Sequence, residues 1–217
     1  MTHQEYALKN KKRLIDFLIA KDIEKIHFIG IDRSLTATGF AVVNAGKCIK
    51  SFEIGSKEYG DNRLYDIGKQ YIVNIMSYSN NFVCMENYAY GISNSQSLTG
   101  LGELGGVCKV FFRMKNIDYL SVAPTLLKKY VSGSGISSKT QMMMFVLKKF
   151  KIEPVSDNTA DAIGLAYLIY NTIRYAKGNK NYTQKEIECF DSFLSCEPKK
   201  KNIKKRLLQN ELDLIDG

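Results

Sequence analysis

The chain has 217 residues, of which 45% are hydrophobic and 11% aromatic, and its formal net charge is +9. This length and composition suit one folded domain with short extensions, and they exclude a disordered chain. The positive charge favours a polyanion as partner, although lysines that only keep the protein soluble would explain it equally well.

The sequence also argues against several other classes of protein. No apolar run approaches the roughly 20 residues of a membrane-spanning helix, and Asp16 interrupts the N-terminal apolar cluster, which is atypical of a signal peptide. The five cysteines form no Cys-x-x-Cys pair, so we expect reduced thiols in a cytoplasmic protein and no zinc site. With His3 and His27 as the only histidines, any catalysis must use carboxylates, lysines or hydroxyls.

Hydrophobic periodicity and turn signals predict an α/β protein. Strands are expected over residues 26–31, 37–43, 47–54, 82–86 and 118–122. Helices are expected over residues 1–24, 61–78, 94–114, 137–150 and 158–176, and one more begins at Pro124. The order of these elements predicts a mixed five-stranded sheet with helices on both faces.

Three regions are expected along the chain. Residues 25–177 hold the predicted sheet and form the central domain. Residues 1–24 form a basic helical extension, and residues 178–217 form a C-terminal helix and a tail. That last helix is expected to open with a capping box at 183–186. The basic run at 199–206 either binds phosphates or only adds solubility.

The first predicted strand ends on a carboxylate. Asp32 follows an apolar run, and small and hydroxyl residues come after it. Gly30 and Gly39 on either side of Asp32 suggest a place where a metal ion or a phosphate approaches the backbone. A strand that ends in Gly-x-Asp is often only the start of a turn, so the site depends on other acids arriving there.

Other acids do lie at the edges of predicted elements. Glu86 ends another buried strand, and Asp161 lies in the first turns of the helix at 158–176. Asp157 and Asn158 precede Asp161 by four and three residues, so all three side chains can project from one helix face. Carboxylates that come together repel one another unless cations lie between them, and hard oxygen ligands select Mg²⁺ or Mn²⁺. Two such ions would suit phosphodiester hydrolysis.

Each acid also has an ordinary structural explanation. Asp157 or Asn158 taken alone is expected to be the N-cap of its helix, and the helix dipole favours Asp161 near the N-terminus without a metal. Glu86 taken alone is an ordinary carboxylate at a strand end. The functional reading rests on the expectation that Asp32 joins these residues at one place.

Several motifs resemble the RuvC family of Holliday junction resolvases, which belong to the ribonuclease-H-like superfamily. These are Gly30-Ile31-Asp32 with the hairpin after it, Met85-Glu86, and Asp-Asn-Thr-Ala-Asp-Ala at 157–162. The segment Ala-Pro-Thr-Leu-Leu-Lys-Lys-Tyr-Val-Ser-Gly-Ser-Gly at 123–135, followed by Lys139, is similar to that family's Pro-x-x-(Val/Leu)-Lys helix, Gly-x-Gly turn and lysine. Leu-Gly-Glu-Leu-Gly-Gly at 101–106 resembles its Leu-Gly-x-x-x-Gly helix. The likeness covers roughly 26–175.

The resemblance implies a ribonuclease-H-like fold and a set of metal-binding catalytic acids, Asp32, Glu86 and Asp161. The family's fourth acid lies three residues before the last one, where this chain has Asn158. We therefore expect Asp157 to be the fourth acid, with Asn158 able to supply a neutral oxygen. Two Mg²⁺ or Mn²⁺ ions would be held in each active site.

The resemblance also implies DNA contacts. Lys128 and Lys139 match the family's DNA-contacting lysines, although spacing alone also fits a solvated helix face. The family places an aromatic residue shortly after the glutamate, and Tyr88 or Tyr90 would stack on an unpaired base there, unless it packs in the core. Glycines at 100, 102, 105 and 106 are costly in a helix and suggest close approach of another backbone, a dimer partner or DNA.

The expected function is an endonuclease that resolves four-way DNA junctions by paired nicks, as a homodimer with no membrane partner. An alternative is a ribonuclease-H-like nuclease for flaps, branched DNA or RNA–DNA hybrids. A remote alternative is an actin-like ATP-binding phosphotransferase, because 30–39 also looks like that class's first phosphate loop. A junction-binding protein without catalysis is disfavoured by the acids. The lysine-, asparagine- and isoleucine-rich composition suggests an AT-rich genome such as that of a phage, and we expect the protein in the cytoplasm of a bacterial or phage-infected cell.

Overall fold

The structure is a computed structural model that describes residues 3–87 and 95–195. Its strands are β1 (His27–Asp32), β2 (Thr38–Asn44), β3 (Lys47–Ile54), β4 (Asn81–Glu86) and β5 (Tyr119–Val122). Its helices are α1 (His3–Ala20), α2 (Gly60–Met76), α3 (Ser95–Met114), α4 (Pro124–Ser132), α5 (Lys139–Phe150), α6 (Asp157–Ala176) and α7 (Gln184–Leu194), with a 3-10 turn at Ile23–Lys25. The helix predicted over 1–24 thus ends at Ala20, four residues early.

The five strands form one mixed sheet in the order β3-β2-β1-β4-β5. The hairpins β1–β2 and β2–β3 are antiparallel, whereas β4 pairs in parallel with both β1 and β5. Ala45 and Gly46, with φ values of 48° and 72°, form the tight turn between β2 and β3. The predicted α/β fold with a mixed five-stranded sheet is confirmed.

Helices cover both faces of the sheet, as predicted. On one face α2 and α3 bury residues such as Ile67, Tyr71 and Phe112 against the inward side chains of β1, β2 and β4. On the other face α6 packs against β1 and β2, and α1, α4, α5 and α7 contribute to the same core. Helix α6 is buried around most of its circumference because it lies between the sheet and these outer helices.

Gly30 and Gly39 allow α6 to lie directly on the sheet. A Cβ atom on Gly30 would be 1.9 Å from the carbonyl oxygen of Ala162, and one on Gly39 would be 1.9 Å from that of Asn158. The prediction that a metal ion or phosphate approaches the backbone at these glycines is therefore wrong, because the backbone of α6 fills that space. This close packing brings the N-terminus of α6 to the end of β1.

Both terminal helices pack on the same side of the molecule. The Lys11 ammonium donates to the carbonyl of Ser195 over 2.9 Å, and Lys177 donates to the carbonyl of Ile19 over 2.7 Å. Thr183 caps α7 through the predicted capping box with Glu186. Within the described ranges, no helix combines the length and apolarity needed to cross a bilayer.

Candidate active site

Two of the predicted acids meet at the carboxyl ends of β1 and β4. Ile31 is paired with Met85 in the parallel ladder, so Asp32 and Glu86 are the next residues on adjacent strands. The Asp32 side chain is nearly buried, with 8% of the residue exposed, and its carboxyl group is hydrogen-bonded to that of Glu86. The topology thus places these carboxyl groups in direct contact.

Burial and mutual repulsion change the protonation of this pair. Burial is the main cause that raises the pKa of Asp32 well above its usual value, and the charges of Glu86 and Asp161 raise it further. Burial also raises the pKa of Glu86, while the hydrogen bond with Asp32 opposes that rise. The pKa values of both carboxyl groups are therefore raised, and the pair titrates as a unit.

Helix α6 supplies the third predicted acid, Asp161. Burial, together with the charges of Glu86 and Asp157, raises its pKa to about 7, although Lys128 and Lys139 oppose the rise. Its Oδ1 atom is buried and has no hydrogen-bond partner among the described residues. A buried carboxylate oxygen without a partner is costly, so the fold holds Asp161 in an environment that suits a cation.

The N-cap of α6 is Ser156, not Asp157 or Asn158 as predicted for either residue alone. The Ser156 hydroxyl accepts from the amide of Thr159, and Thr159 completes a capping box. Because Ser156 satisfies the helix end, both following side chains have other partners. Asp157 forms an ion pair with Lys139, whereas the Asn158 amide donates to the carbonyl of Ala37 over 2.6 Å.

Asp157 and Asn158 therefore face different surroundings at the start of α6. The Asp157 carboxylate contributes to the charge field of Asp32 and Asp161. The Asn158 amide group holds the loop between β1 and β2 against α6. This loop follows Asp32, so Asn158 helps to fix its backbone.

Lys128 and Lys139 lie within electrostatic reach of the acids. Lys128 on α4 lowers the pKa of both Glu86 and Asp161, and Lys139 is the first residue of α5. We call the site formed by Asp32, Glu86, Asp157 and Asp161 the acid site. The structure brings both predicted DNA-contacting lysines to its edge. Tyr88 and Tyr90, predicted to stack on a base, lie outside the described residues.

Sequence reasoning missed Arg33. Its guanidinium donates to the carbonyl oxygen of Glu86 over 2.7 Å, and its charge lowers the pKa of the Glu86 carboxyl group. Arg33 therefore ties the end of β4 to the loop after β1. A cation directly next to Asp32 in the sequence was the available signal, and only the pairing of β1 with β4 reveals its partner.

The acid site has the chemistry of a divalent-cation site. Within 3–87 and 95–195, no three His, Cys, Asp or Glu side chains lie close enough together to hold an ion as they stand. However, the donors are all hard oxygens, Asp161 has a buried Oδ1 without a partner, and burial raises the pKa values of Asp32 and Glu86, which a nearby cation would lower. Mg²⁺ and Mn²⁺ prefer such carboxylate ligands, so these residues fit the expected metal.

Comparison with known proteins shows which proteins have a similar sequence and fold. A sequence profile for "Crossover junction endodeoxyribonuclease RuvC" matches residues 28–168. RuvC from Prochlorococcus marinus (strain MIT 9312) is 25% identical over 149 residues, covering 65% of this chain and 94% of that protein. RuvC from Ehrlichia canis (strain Jake) is 29% identical over 152 residues, covering 65% and 97%.

Solved structures share the fold. A structure described as T. thermophilus RuvC in complex with Holliday junction substrate matches with a TM-score of 0.57 and 16% sequence identity. The match covers 70% of this chain and 95% of that chain. A second structure of Thermus thermophilus RuvC matches with a TM-score of 0.56 and 18% identity.

Proposed function

Because the chain belongs to the RuvC family of crossover junction endodeoxyribonucleases, we propose that its acid site cuts four-way DNA junctions with two divalent ions. Membership of this family makes the chain a metal-dependent endonuclease that resolves Holliday junctions. The family match spans the strands and the helix that carry Asp32, Glu86 and Asp161. The convergence of these acids at the ends of β1 and β4 and the start of α6 is the observation that carries the proposal.

Four acids are proposed to hold the ions: Asp32, Glu86, Asp161 and Asp157. Asp157 takes the fourth position because it carries a charge that acts on both Asp32 and Asp161, while Asn158 donates through Nδ2 to Ala37 and keeps its Oδ1 as a neutral oxygen. When bound, two Mg²⁺ or Mn²⁺ ions supply a nucleophile from water at neutral pH and stabilise the charge on the leaving oxygen. The acids must lose their protons to bind cations, so the raised pKa values of Asp32 and Asp161 make binding dependent on pH.

The lysines at the site are proposed to position the DNA backbone. Lys128 and Lys139 would hold phosphates on either side of the scissile one, because an ammonium group binds phosphate as a point charge. Lys139 is paired with Asp157 in the DNA-free protein, so DNA and metal binding would separate these two side chains. The net charge of +9 supports the same interaction with a polyanion.

Resolution of a junction requires two symmetric cuts, and we propose that a homodimer makes them. The outer surface of α2 and α3 supports this proposal. Val110 and Met114 lie one helical turn apart on α3 and are each more than half exposed, and Gly106 precedes them by a further turn with open space at its Cβ position. Tyr65 on α2 is also exposed and contacts the ring of Phe111. Exposed apolar side chains on neighbouring helices suit a protein partner.

The described part of the chain holds a single five-stranded sheet. An actin-like phosphotransferase would need a second lobe with its own phosphate loop. A single sheet in the described residues therefore gives that alternative no support. The choice between four-way junctions and flaps or RNA–DNA hybrids is a question of substrate geometry that cleavage assays address directly.

The deciding experiment compares substrates and variants. The protein is incubated with Mg²⁺ or Mn²⁺ and one of four synthetic substrates, and the nicks are mapped. The substrates are a four-way junction, a flap, a linear duplex and an RNA–DNA hybrid. We expect paired nicks in the junction, and Asp32→Asn should abolish them while retaining junction binding in Ca²⁺. Full activity of Asp32→Asn, or preference for a hybrid over the junction, would contradict the proposal.

A further inference from the structure

The loop between α4 and α5 carries the most exposed large hydrophobic side chain of the described residues. Ile136 is 92% exposed, although an isoleucine loses favourable burial energy when it stays in water. It lies three residues before Lys139, which pairs with Asp157 at the acid site. Three residues span at most about 11 Å, so the backbone of Ile136 lies within that distance of the backbone of Lys139.

This loop is held in a defined shape. Gly133 ends α4 in the left-handed region with a φ of 80°, and the amide of Ser134 donates to the hydroxyl of Ser132 over 3.2 Å. The buried Ser137 hydroxyl lies 2.6 Å from that of Ser132, and Ser138 caps α5. Serine hydroxyl groups thus fix both sides of Ile136 and present it to solvent.

Helix α7 brings a cation to the same loop. The Lys185 ammonium lies 3.4 Å from the position that a Cβ atom on Gly133 would occupy, and Lys185 is exposed. Helix α7 lies beyond the family match at 28–168, and the ion pair between Lys149 and Glu186 fastens it to α5. Lys185 therefore adds a cation beside the loop from a helix outside the region that matches the family.

We propose that the loop 133–138 and Lys185 form an additional DNA contact, in which Ile136 packs against a nucleobase beside the cut and Lys185 binds a backbone phosphate. This inference rests on the proposed function. An isoleucine has no hydrogen-bonding group, so on DNA it can contact a thymine methyl group or enter between unstacked bases. At 3.4 Å per nucleotide along one strand, the span of about 11 Å between Ile136 and Lys139 corresponds to about three nucleotides.

The first test concerns Ile136. Junction binding is measured in Ca²⁺ for the unaltered protein, for Ile136→Ser, and for Ile49→Ser as a control at an exposed isoleucine on the edge strand β3. We expect Ile136→Ser to weaken binding about tenfold, because an apolar contact of one side chain is lost, and Ile49→Ser to bind as the unaltered protein does. Thermal unfolding verifies that both variants fold.

Modified junctions identify which base contact Ile136 makes. Uracil replaces thymine within about three nucleotides of the cut, and 2-aminopurine fluorescence reports unstacking at the same positions. A contact with a thymine methyl predicts that uracil weakens binding of the unaltered protein but not of Ile136→Ser. Insertion between bases predicts a fluorescence increase that Ile136→Ser abolishes. Either result supports the proposal, and the absence of both overturns it.

The second test concerns Lys185. Lys185→Gln should make the slope of log binding constant against log salt concentration shallower by about 0.9, which corresponds to one phosphate contact. Lys180→Gln is the control, because Lys180 is exposed and follows the far end of α6. An unchanged slope in Lys185→Gln would overturn the assignment of this lysine.

The two proposals fail in different ways. If the unaltered protein neither binds nor nicks the junction, the proposed function is wrong. If it does both, and Ile136→Ser and Lys185→Gln match it in affinity and salt dependence, only the additional DNA contact is wrong.

Discussion

Helix α6 borders two clusters of polar groups that differ in whether opposite charges are paired. In its first turns Asp157 and Asp161 join Asp32 and Glu86, and we call these four residues the acid cluster. Past its middle, the hydroxyl of Tyr130 accepts from the amide of Asn171 over 2.8 Å. There the Lys149 ammonium lies 2.9 Å from Glu186 and 2.5 Å from the carbonyl oxygen of Tyr130. We call Tyr130, Asn171, Lys149 and Glu186 the ion-pair cluster.

The two clusters differ in how their charges are balanced. In the ion-pair cluster the carboxylate and the ammonium lie next to each other. Burial raises the pKa of Glu186 and lowers that of Lys149, but the hydrogen bonds from Lys149 and Thr183 leave the Glu186 pKa below its usual value. In the acid cluster burial and repulsion raise the pKa of Asp32 and Asp161. A balanced cluster stabilises the fold, whereas an unbalanced one is typical of a functional site.

The largest expected effect comes from a change in the acid cluster. Asp161→Asn should reduce junction nicking by about three orders of magnitude, or about 4 kcal/mol of transition-state stabilisation, because a proposed metal ligand is lost. The same change should raise the thermal stability of the metal-free protein, because it removes a repelled carboxylate. Both effects are measured on one preparation, by nicking in Mg²⁺ and by unfolding in EDTA.

Asp16→Asn is the control for that change, since Asp16 is exposed and pairs with Lys12 on α1. It should leave nicking unchanged. Retention of nicking by Asp161→Asn would remove the distinction between the two clusters.

A change in the ion-pair cluster should have the reverse pattern. Glu186→Gln leaves the Lys149 ammonium, whose side chain is only 22% exposed, without its counter-charge. We expect a loss of about 2 kcal/mol in the free energy of unfolding, measured by urea denaturation. Nicking per folded molecule should stay within about twofold, because Glu186 contacts no acid of the site.

The double change Lys149→Met with Glu186→Gln tests the cause of that loss, because glutamine removes the charge and can still accept from Thr183 in the capping box. It removes both charges together, so it should recover most of the stability. If the double variant is as unstable as Glu186→Gln, shape rather than charge pairing accounts for the effect.

The pH dependence of stability should also separate the clusters. The pKa of Asp161 is about 7 in the folded protein and about 4 in the unfolded chain. Between these values Asp161 binds one more proton in the folded state than in the unfolded chain. It should therefore make metal-free stability rise as the pH falls from about 7, with a contribution to the slope of about 1.4 kcal/mol per pH unit, and the raised pKa of Asp32 acts in the same direction. Unfolding in EDTA at several pH values measures this slope, and Asp161→Asn should reduce it.

Divalent ions should reverse that trend. Protons compete with the metal for the same carboxylates, so the stabilisation by Mn²⁺ should weaken as the pH falls below about 7. If the free energy of unfolding of the metal-free protein instead decreases steadily as the pH falls from about 7 to about 4, that result would contradict the raised pKa values of Asp32 and Asp161.

The sequence predicted the acid cluster better than the ion-pair cluster, for a physical reason. Asp32 and Glu86 end predicted strands, and the motifs that resemble the RuvC family indicate that they meet; the structure then shows β1 and β4 as parallel neighbours. Lys149 and Glu186 lie on α5 and α7, separated by α6. Their pairing depends on how helices pack, and the sequence showed Glu186 only as part of a capping box.

Local interpretations failed where tertiary packing decided the outcome. Gly30 and Gly39 were assigned to ligand access, yet they serve the approach of the α6 backbone. Asp157 and Asn158 matched the N-cap preference, but Ser156 occupies that position. Residue preferences identify which side chains can do a task, and several neighbours often qualify for the same one.

The smallest expected effect comes from an exposed counterpart of the ion-pair cluster. Lys129 on α4 and Glu188 on α7 form an ion pair over 2.8 Å, and their side chains are 41% and 49% exposed. Water screens such a pair and holding two long side chains costs entropy, so Lys129→Gln should unfold in urea close to the unaltered protein. Any small difference should vanish at 1 M salt, where the screening length is about 3 Å. A loss as large as that of Glu186→Gln would show that the position of the pair between the helices, rather than its burial, determines its contribution.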